Sequence, residues 1–245
     1  MYRIRFHGRG GQGIKTAGRI LGTTFFLESF EVQDAPLYGA ERRGAPLFAY
    51  VRAARKPINE RGIIRNPDLV IVVDDTLLAV PAAGVLLGVT PQTVLLIDSF
   101  EPAETWRQRL NFPGRLLVLA AANEIEDRAA LPYSGAACAG AAARLIGLRR
   151  GSLEQAIGEE LAGAGPTVIQ RDLEKALDAY DRMAEHAGIV HQGETPSADT
   201  YSPPAWVDPP LDDVSLAAPD IHGAATSVQV RTGLWRTMRP VIDYH

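Results

Sequence analysis

The sequence predicts an α/β fold, an open wound and mostly parallel sheet with flanking helices, continued by an extended Pro-rich C-terminal arm. Three observations carry this. An alternating apolar run breaks at a Gly-rich turn and passes at once into a helical pattern; short apolar runs stop at Asp; and Pro punctuates the chain after Gly188. Tyr2–His7 is the first strand, Gly8-Arg9-Gly10-Gly11-Gln12-Gly13 the turn, and Ile14–Ser29 the helix, with apolar residues at Ile14, Ala17, Ile20, Leu21, Phe25 and Leu27. A second strand is predicted over Phe30–Gln33, an irregular polar segment over Asp34–Gly44 and a third strand over Pro46–Ala53. Asp68–Val73 ends in Asp74-Asp75 and Val94–Ile97 in Asp98-Ser99. Neither alternates, as expected of parallel strands covered on both faces. Arg115–Ala120 adds one more.

Helix follows. Ala122–Ala130 and Ser134–Leu148 are Ala-rich, Ser152 reads as an N-cap with Gln155 three residues on, and Asp172–Ala187 spaces Leu173, Leu177, Tyr180 and Met183 helically. The chain thus divides into a domain over 1–187, a Pro-rich arm over 188–227 and a last segment over 228–245, with a short strand near Val228–Val230. Trp206, Leu211, Val214 and Leu216 make the arm too apolar for a free linker, so it is expected to order against a partner.

Composition excludes several functions. A net charge of −4 over 245 residues lacks the excess of Lys and Arg that a nucleic-acid surface needs. One cysteine, Cys138, supplies neither a disulfide nor the thiolates of a zinc or iron–sulfur site; in its Ala-rich helix it reads as a buried small hydrophobe. His7, His186, His191, His222 and His245 show no metal-ligand spacing. No apolar run approaches the about 18 residues of a membrane span, and no export signal opens the sequence, so the expected compartment is the cytoplasm.

Two segments are left as candidates for chemistry. Gly8, Gly10 and Gly13 fit G-x-G-x-x-G between strand and helix, where backbone N–H groups approach an anionic phosphate; Glu31 or Asp34 would then hold a ribose. The plain alternative is a tight turn packed against a partner chain, and the glycines do not decide between them. Tyr38, Glu41, Arg42 and Arg43 form a charged loop near the sheet edge where open α/β sheets bind ligands, presenting Arg to a carboxylate or phosphate or forming an ion-pair network at an interface. Asp74 and Asp75 end a strand and could hold a ligand, but strand-end carboxylates often cap the following helix, as Thr76 also could; they receive no catalytic role.

The two segments in order, His7-Gly8-Arg9-Gly10-Gly11-Gln12-Gly13 and Pro36-Leu37-Tyr38-Gly39-Ala40-Glu41-Arg42-Arg43-Gly44-Ala45-Pro46, resemble the signature of the gamma subunit of pyruvate-type 2-oxoacid:ferredoxin oxidoreductases. The likeness continues through Asn66–Asp74 and Ser152–Ile157. Separately, Thr232–Asp243 resembles the lead-in to the ferredoxin-type delta module of the same enzymes, in which a C-x-x-C-x-x-C run comes next; here the sequence stops at His245. The tail is then either part of a gamma–delta fusion or a remnant that docks a separate ferredoxin-like chain. The resemblance implies oxidative decarboxylation of a 2-oxo acid, usually to an acyl-CoA, in a complex holding thiamine diphosphate, Mg²⁺, [4Fe–4S] clusters and CoA. Alpha and beta subunits would carry the thiamine, a delta chain the clusters, and ferredoxin or another acceptor the electrons. This chain would hold none of these groups alone. Gly10, Gly11, Gln12 and Gly13 would meet an anion, CoA or a partner, and Tyr38, Glu41, Arg42 and Arg43 would face the CoA or substrate channel. Two other readings stay open, a stand-alone NAD-binding oxidoreductase and a scaffold that touches no ligand.

Overall fold

The computed structural model describes residues 1–37, 45–120 and 134–194. Its strands are β1 (Tyr2–Arg9), β2 (Glu31–Leu37), β3 (Pro46–Ala54), β4 (Leu69–Val72), β5 (Val94–Ser99) and β6 (Arg115–Ala120), and its helices α1 (Ile14–Leu27), α2 (Ala103–Arg109), α3 (Gly135–Ile146), α4 (Arg150–Glu160) and α5 (Pro166–Arg182). The strands make one sheet in the order β2-β3-β1-β4-β5-β6. β1, β4, β5 and β6 pair in parallel, while β3 is antiparallel to both its neighbours, so β3 alone runs against the rest. The predicted α/β class, an open and mostly parallel sheet with flanking helices, holds.

Burial explains the strand sequences. All of Leu69–Val72 is buried. Leu69 and Ile71 face a core shared with α1, α3, α4 and α5, whereas Val70 and Val72 face a smaller core built from Leu77, Ala83, Val85 and Trp106. Covered on both faces, β4 cannot alternate. The sheet therefore has one thick helical side and one thin side of 3₁₀ turns and a short helix.

The helical side is drawn close by small residues. A Cβ at Gly140 in α3 would stand 2.0 Å from the Ala176 carbonyl oxygen of α5, so the Ala-rich run lets two helices meet nearly backbone to backbone. α3 closes at the left-handed Gly147 (φ 91°), with the Leu148 N–H donating to the Ala143 carbonyl at 2.9 Å.

Element ends depart from expectation in identifiable ways. β2 runs on to Leu37 and takes up Asp34–Leu37, expected to be irregular; among the described residues it is an edge strand paired only with β3, where Pro36 is tolerated. α4 starts at Arg150, and Ser152 is buried in its first turn instead of capping it. The Arg149 N–H finds its acceptor far away in sequence, at the Glu28 carboxylate, 2.6 Å distant. α5 starts at Pro166, six residues before the expected Asp172, because Pro is pre-organised for the first helical position and the first turn after it, with Val168 and Ile169 only half-buried, carries too little apolar period to mark it in the sequence. It ends at Arg182, with a 3₁₀ turn over Ala184–His186 in place of its expected last turn. α2 and the 3₁₀ turns Asp75–Ala79 and Pro81–Ala83 were not anticipated, being too short for a periodic pattern. The expected helix Ala122–Ala130, the arm from Thr195 on and the strand near Val228 lie outside the described residues.

Candidate functional site at the carboxyl ends of the strands

The Gly-rich turn leaves the carboxyl end of β1 as a β-turn, the Gln12 N–H donating to the Arg9 carbonyl at 3.1 Å. Gly11 (φ 100°) takes its third position and Gly13 (φ 80°) caps α1, and both dihedrals lie where a side chain is strained. Gly8 is demanded by close approach, since its Cβ would lie 2.2 Å from the Ile14 Cδ1 atom. The glycines thus have packing reasons of their own. The Gly10 N–H donates to the Ala45 carbonyl at 3.0 Å, and with Gln12 also engaged, an anion would be held by the amides from Gly11 and Gly13 into the first turn of α1. Gly11 and Lys15 are exposed there.

Gln12 is buried, and its side chain bridges its own turn to the next strand. Its Oε1 accepts the Arg9 N–H at 2.7 Å, and its Nε2 donates to Asp74 Oδ2 at 3.1 Å. Asp74, just beyond β4, also accepts from Arg9 Nε at 3.0 Å, from the Thr76 N–H at 3.1 Å and from the Thr76 hydroxyl. Arg9 Nη2 donates to Thr76 Oγ1 at 2.7 Å. Asp74 caps the 3₁₀ turn, as the sequence suggested. Its hold on Gln12 and Arg9 was not foreseen; the signal available was a strand-end Asp on what proves to be the strand beside the Gly-rich turn.

At the end of β5, Ser99 donates to Asp75 Oδ2 at 2.6 Å and accepts from Trp106 Nε1 at 3.0 Å. Asp98 accepts a hydrogen bond from Ser134 at the start of α3, and burial pushes its carboxyl up to about 6, with the Asp75 charge adding and Ser134 and Arg182 opposing. These groups share the edge at which open α/β sheets carry their ligands.

Tyr38, Glu41, Arg42 and Arg43 lie outside the described residues. The residues flanking them do not: Leu37 closes β2, Ala45 receives the Gly10 N–H, and Pro46 pairs with Arg9. The dinucleotide reading fares worse. Glu31 pairs with Ala54 and Asp34 with Val51, levels with the start and middle of β1, and β3 stands between them and β1. Neither Glu31 nor Asp34 therefore stands at the turn to supply the ribose-holding carboxylate that reading needs.

Cys138 is fully buried in α3, where burial holds its thiol well above the usual range. With it as the sole cysteine of the sequence, the chain does not fit an iron–sulfur cluster. Among the described residues no three His, Cys, Asp or Glu side chains group to hold a metal ion, and no helix is long and apolar enough to cross a membrane.

The model of the pyruvate ferredoxin/flavodoxin oxidoreductase family matches residues 3–182. The chain belongs to this family. Within it, the chain is 35% identical over 184 residues to the gamma subunit common to the pyruvate and ketoisovalerate oxidoreductases of Pyrococcus furiosus, covering 74% of this chain and 97% of that one. The corresponding gamma subunit of Thermococcus kodakarensis is 37% identical over the same shares. The crystal structure of the pyruvate oxidoreductase subunit PORC of Thermotoga maritima superposes with a TM-score of 0.60 at 28% identity, over 74% of this chain and 95% of that one. A 2-oxoglutarate:ferredoxin oxidoreductase from Magnetococcus marinus, solved with 2-oxoglutarate, coenzyme A and succinyl-CoA, shares the fold at 19% identity and a TM-score of 0.55, over 75% of this chain and 31% of that one. The family's relatives are gamma subunits of multisubunit 2-oxoacid oxidoreductases, so further subunits are implied here.

Proposed function

We propose that this chain is the gamma subunit of a thiamine-diphosphate- and iron–sulfur-dependent 2-oxoacid:acceptor oxidoreductase, and that it forms the CoA side of the active site and an interface with the thiamine-binding subunits. The observation that carries this reading is the match to gamma subunits along nearly their whole length. The sheet geometry supports it, because the Gly-rich turn and the residues flanking 38–44 meet at one edge. Thiamine and the clusters supply carbon–carbon cleavage and electron transfer when bound on alpha, beta and delta chains. The part of this chain is to bind and orient. Amides from Gly11 and Gly13 into α1 meet a phosphate of CoA, the buried Gln12 fixes the turn that carries them, and Arg42 and Arg43 face the channel with Tyr38 and Glu41. The arm over 188–227 and the segment over 228–245 attach a ferredoxin-like chain, and the site of action is the cytoplasm.

Two measurements test this. Affinity-tagged chain expressed in its own cell should retain an alpha/beta pair containing thiamine and a cysteine-rich chain; a monodisperse monomer would sink the proposal. In the assembled enzyme, Arg42→Ala with Arg43→Ala should raise the KM for CoA about 10-fold or more. If both assembly and that KM stay unchanged, the loop has no such role.

A further inference from the structure

The Asp74 carboxylate has a coordination that separates positioning from catalysis. An ionised carboxylate has about four acceptor sites. Asp74 fills them with four donors: Arg9 Nε and Gln12 Nε2 on Oδ2, the Thr76 N–H and hydroxyl on Oδ1. Its side chain is only 10% exposed. Such a group has no lone pair left to take a substrate proton or a metal. What it holds is informative: Gln12 has one amide orientation compatible with its surroundings, oxygen toward the Arg9 N–H and nitrogen toward Asp74. Gln12 thereby ties the first residue of the turn to the residue before Gly13, and Asp74 pins that tie to the neighbouring strand.

We propose that Asp74 is a positioning residue for ligand binding at this edge: by holding Gln12 and Arg9 from β4, it fixes the turn in the form whose amides face the ligand. The inference rests on the reading of the turn as a CoA phosphate site and adds the group that sets its geometry. Neighbouring parallel strands at the place where the chain turns to opposite sides of β1 are thus locked by one carboxylate, with no contact between that carboxylate and the ligand.

The test uses the complete complex and CoA as the titrant, with calorimetric Kd and steady-state kinetics side by side. Asp74→Asn sets an amide nitrogen against existing donors; Gln12→Glu sets two carboxylates together. The double variant restores the pair between positions 12 and 74 with its polarity reversed, Asn donating to Glu, and keeps one carboxylate in the network, while Arg9 Nε, which Asp74 Oδ2 also holds, is left facing the Asn amide nitrogen. Each single variant should weaken CoA about 10-fold with kcat at saturating CoA within about two-fold, and the double variant should bind more tightly than either single variant, recovering the part of the loss that belongs to the 12–74 pair and not the part that belongs to Arg9. Recovery of affinity by the reversed pair is a result that general loss of stability does not produce. A double variant as weak as the singles combined overturns the proposal. Gly11→Ala, which strains the turn directly, distinguishes the two levels: weakened CoA binding in this variant with normal binding in Asp74→Asn overturns the positioning role alone. Normal binding in Gly11→Ala removes the turn as the CoA site and the proposal with it.

Discussion

His7 is 3% exposed, meets Phe48 edge-on at 5.1 Å, and has no partner for either ring nitrogen in ordinary hydrogen-bond geometry. Burial, then the Arg5 charge, lower its pKa to about 3, with only a weak opposing interaction from the Ala83 backbone. In the unfolded chain a histidine titrates near 6.5. Between there and about 3 the unfolded state binds a proton that the folded state refuses, so stability falls as pH drops through that window. Asp98 works the other way. Its folded value of about 6 lies above the ordinary 3.8, so its contribution is full below 3.8 and is lost as pH rises to 6. His7→Leu should therefore recover about 2 kcal/mol relative to the parent between pH 7 and pH 5, read as the change in urea midpoint. Asp98→Asn should gain on the order of 3 kcal/mol at pH 7 and only about 0.5 kcal/mol at pH 4. Equal gains at both pH values would show that the Asp98 carboxyl is not perturbed. Neither shift was legible in the sequence, where His7 was one of five unremarkable histidines and Asp98 a strand-end acid; both arise from what folds over them.

At the scale of elements, the strands and their order of appearance were readable because β4 and β5 are buried on both faces and turn chemistry marks the end of β1. Helix starts were not, because their determinants are tertiary. Glu28 serves α4 across 121 residues of chain, and no local pattern announces it. Glu28→Ala should cost about 1 kcal/mol, the usual size of a lost cap, while Ser152→Ala, which removes no capping bond, should not match it through that route; chemical denaturation of both variants checks the difference. The α3–α5 contact is less forgiving. A Cβ at Gly140 meets the Ala176 carbonyl, a backbone atom unable to rotate aside, so Gly140→Val should destabilise by about 3 kcal/mol or more despite any gain in helix propensity. A midpoint unchanged in urea would mean that the helices separate without cost. Half of the candidate site was legible in the same limited sense: Gly11, Gln12 and Gly13 stand at a strand–turn–helix junction as read, but the Asp74 tie required knowing that β4 lies next to β1.

For the whole molecule, the described fold takes in the first residues of the expected arm over 188–227. The Val190 N–H donates to the Leu145 carbonyl at 3.0 Å, and the Gly193 carbonyl accepts from the Met1 amine at 3.3 Å, beside Asp68 and Arg3. The described residues up to Glu194 fall within one compact unit, Met1–Thr195. These ties sit by the amino ends of β1 and β4, while the Gly-rich turn and Asp74 sit by their carboxyl ends. The edge proposed for ligand binding and the start of the arm thus lie at opposite ends of the strands. A chain ending at Glu194 should keep its far-UV circular dichroism, melt within about 3 °C of the full chain, and still join alpha and beta subunits with CoA affinity intact. It should lose the cysteine-rich chain, seen as loss of iron from the purified complex and of electron delivery to the acceptor. If instead the shortened chain retains that iron, attachment is made by the compact unit itself; if it fails to fold, the unit's boundary lies further along the arm than Thr195.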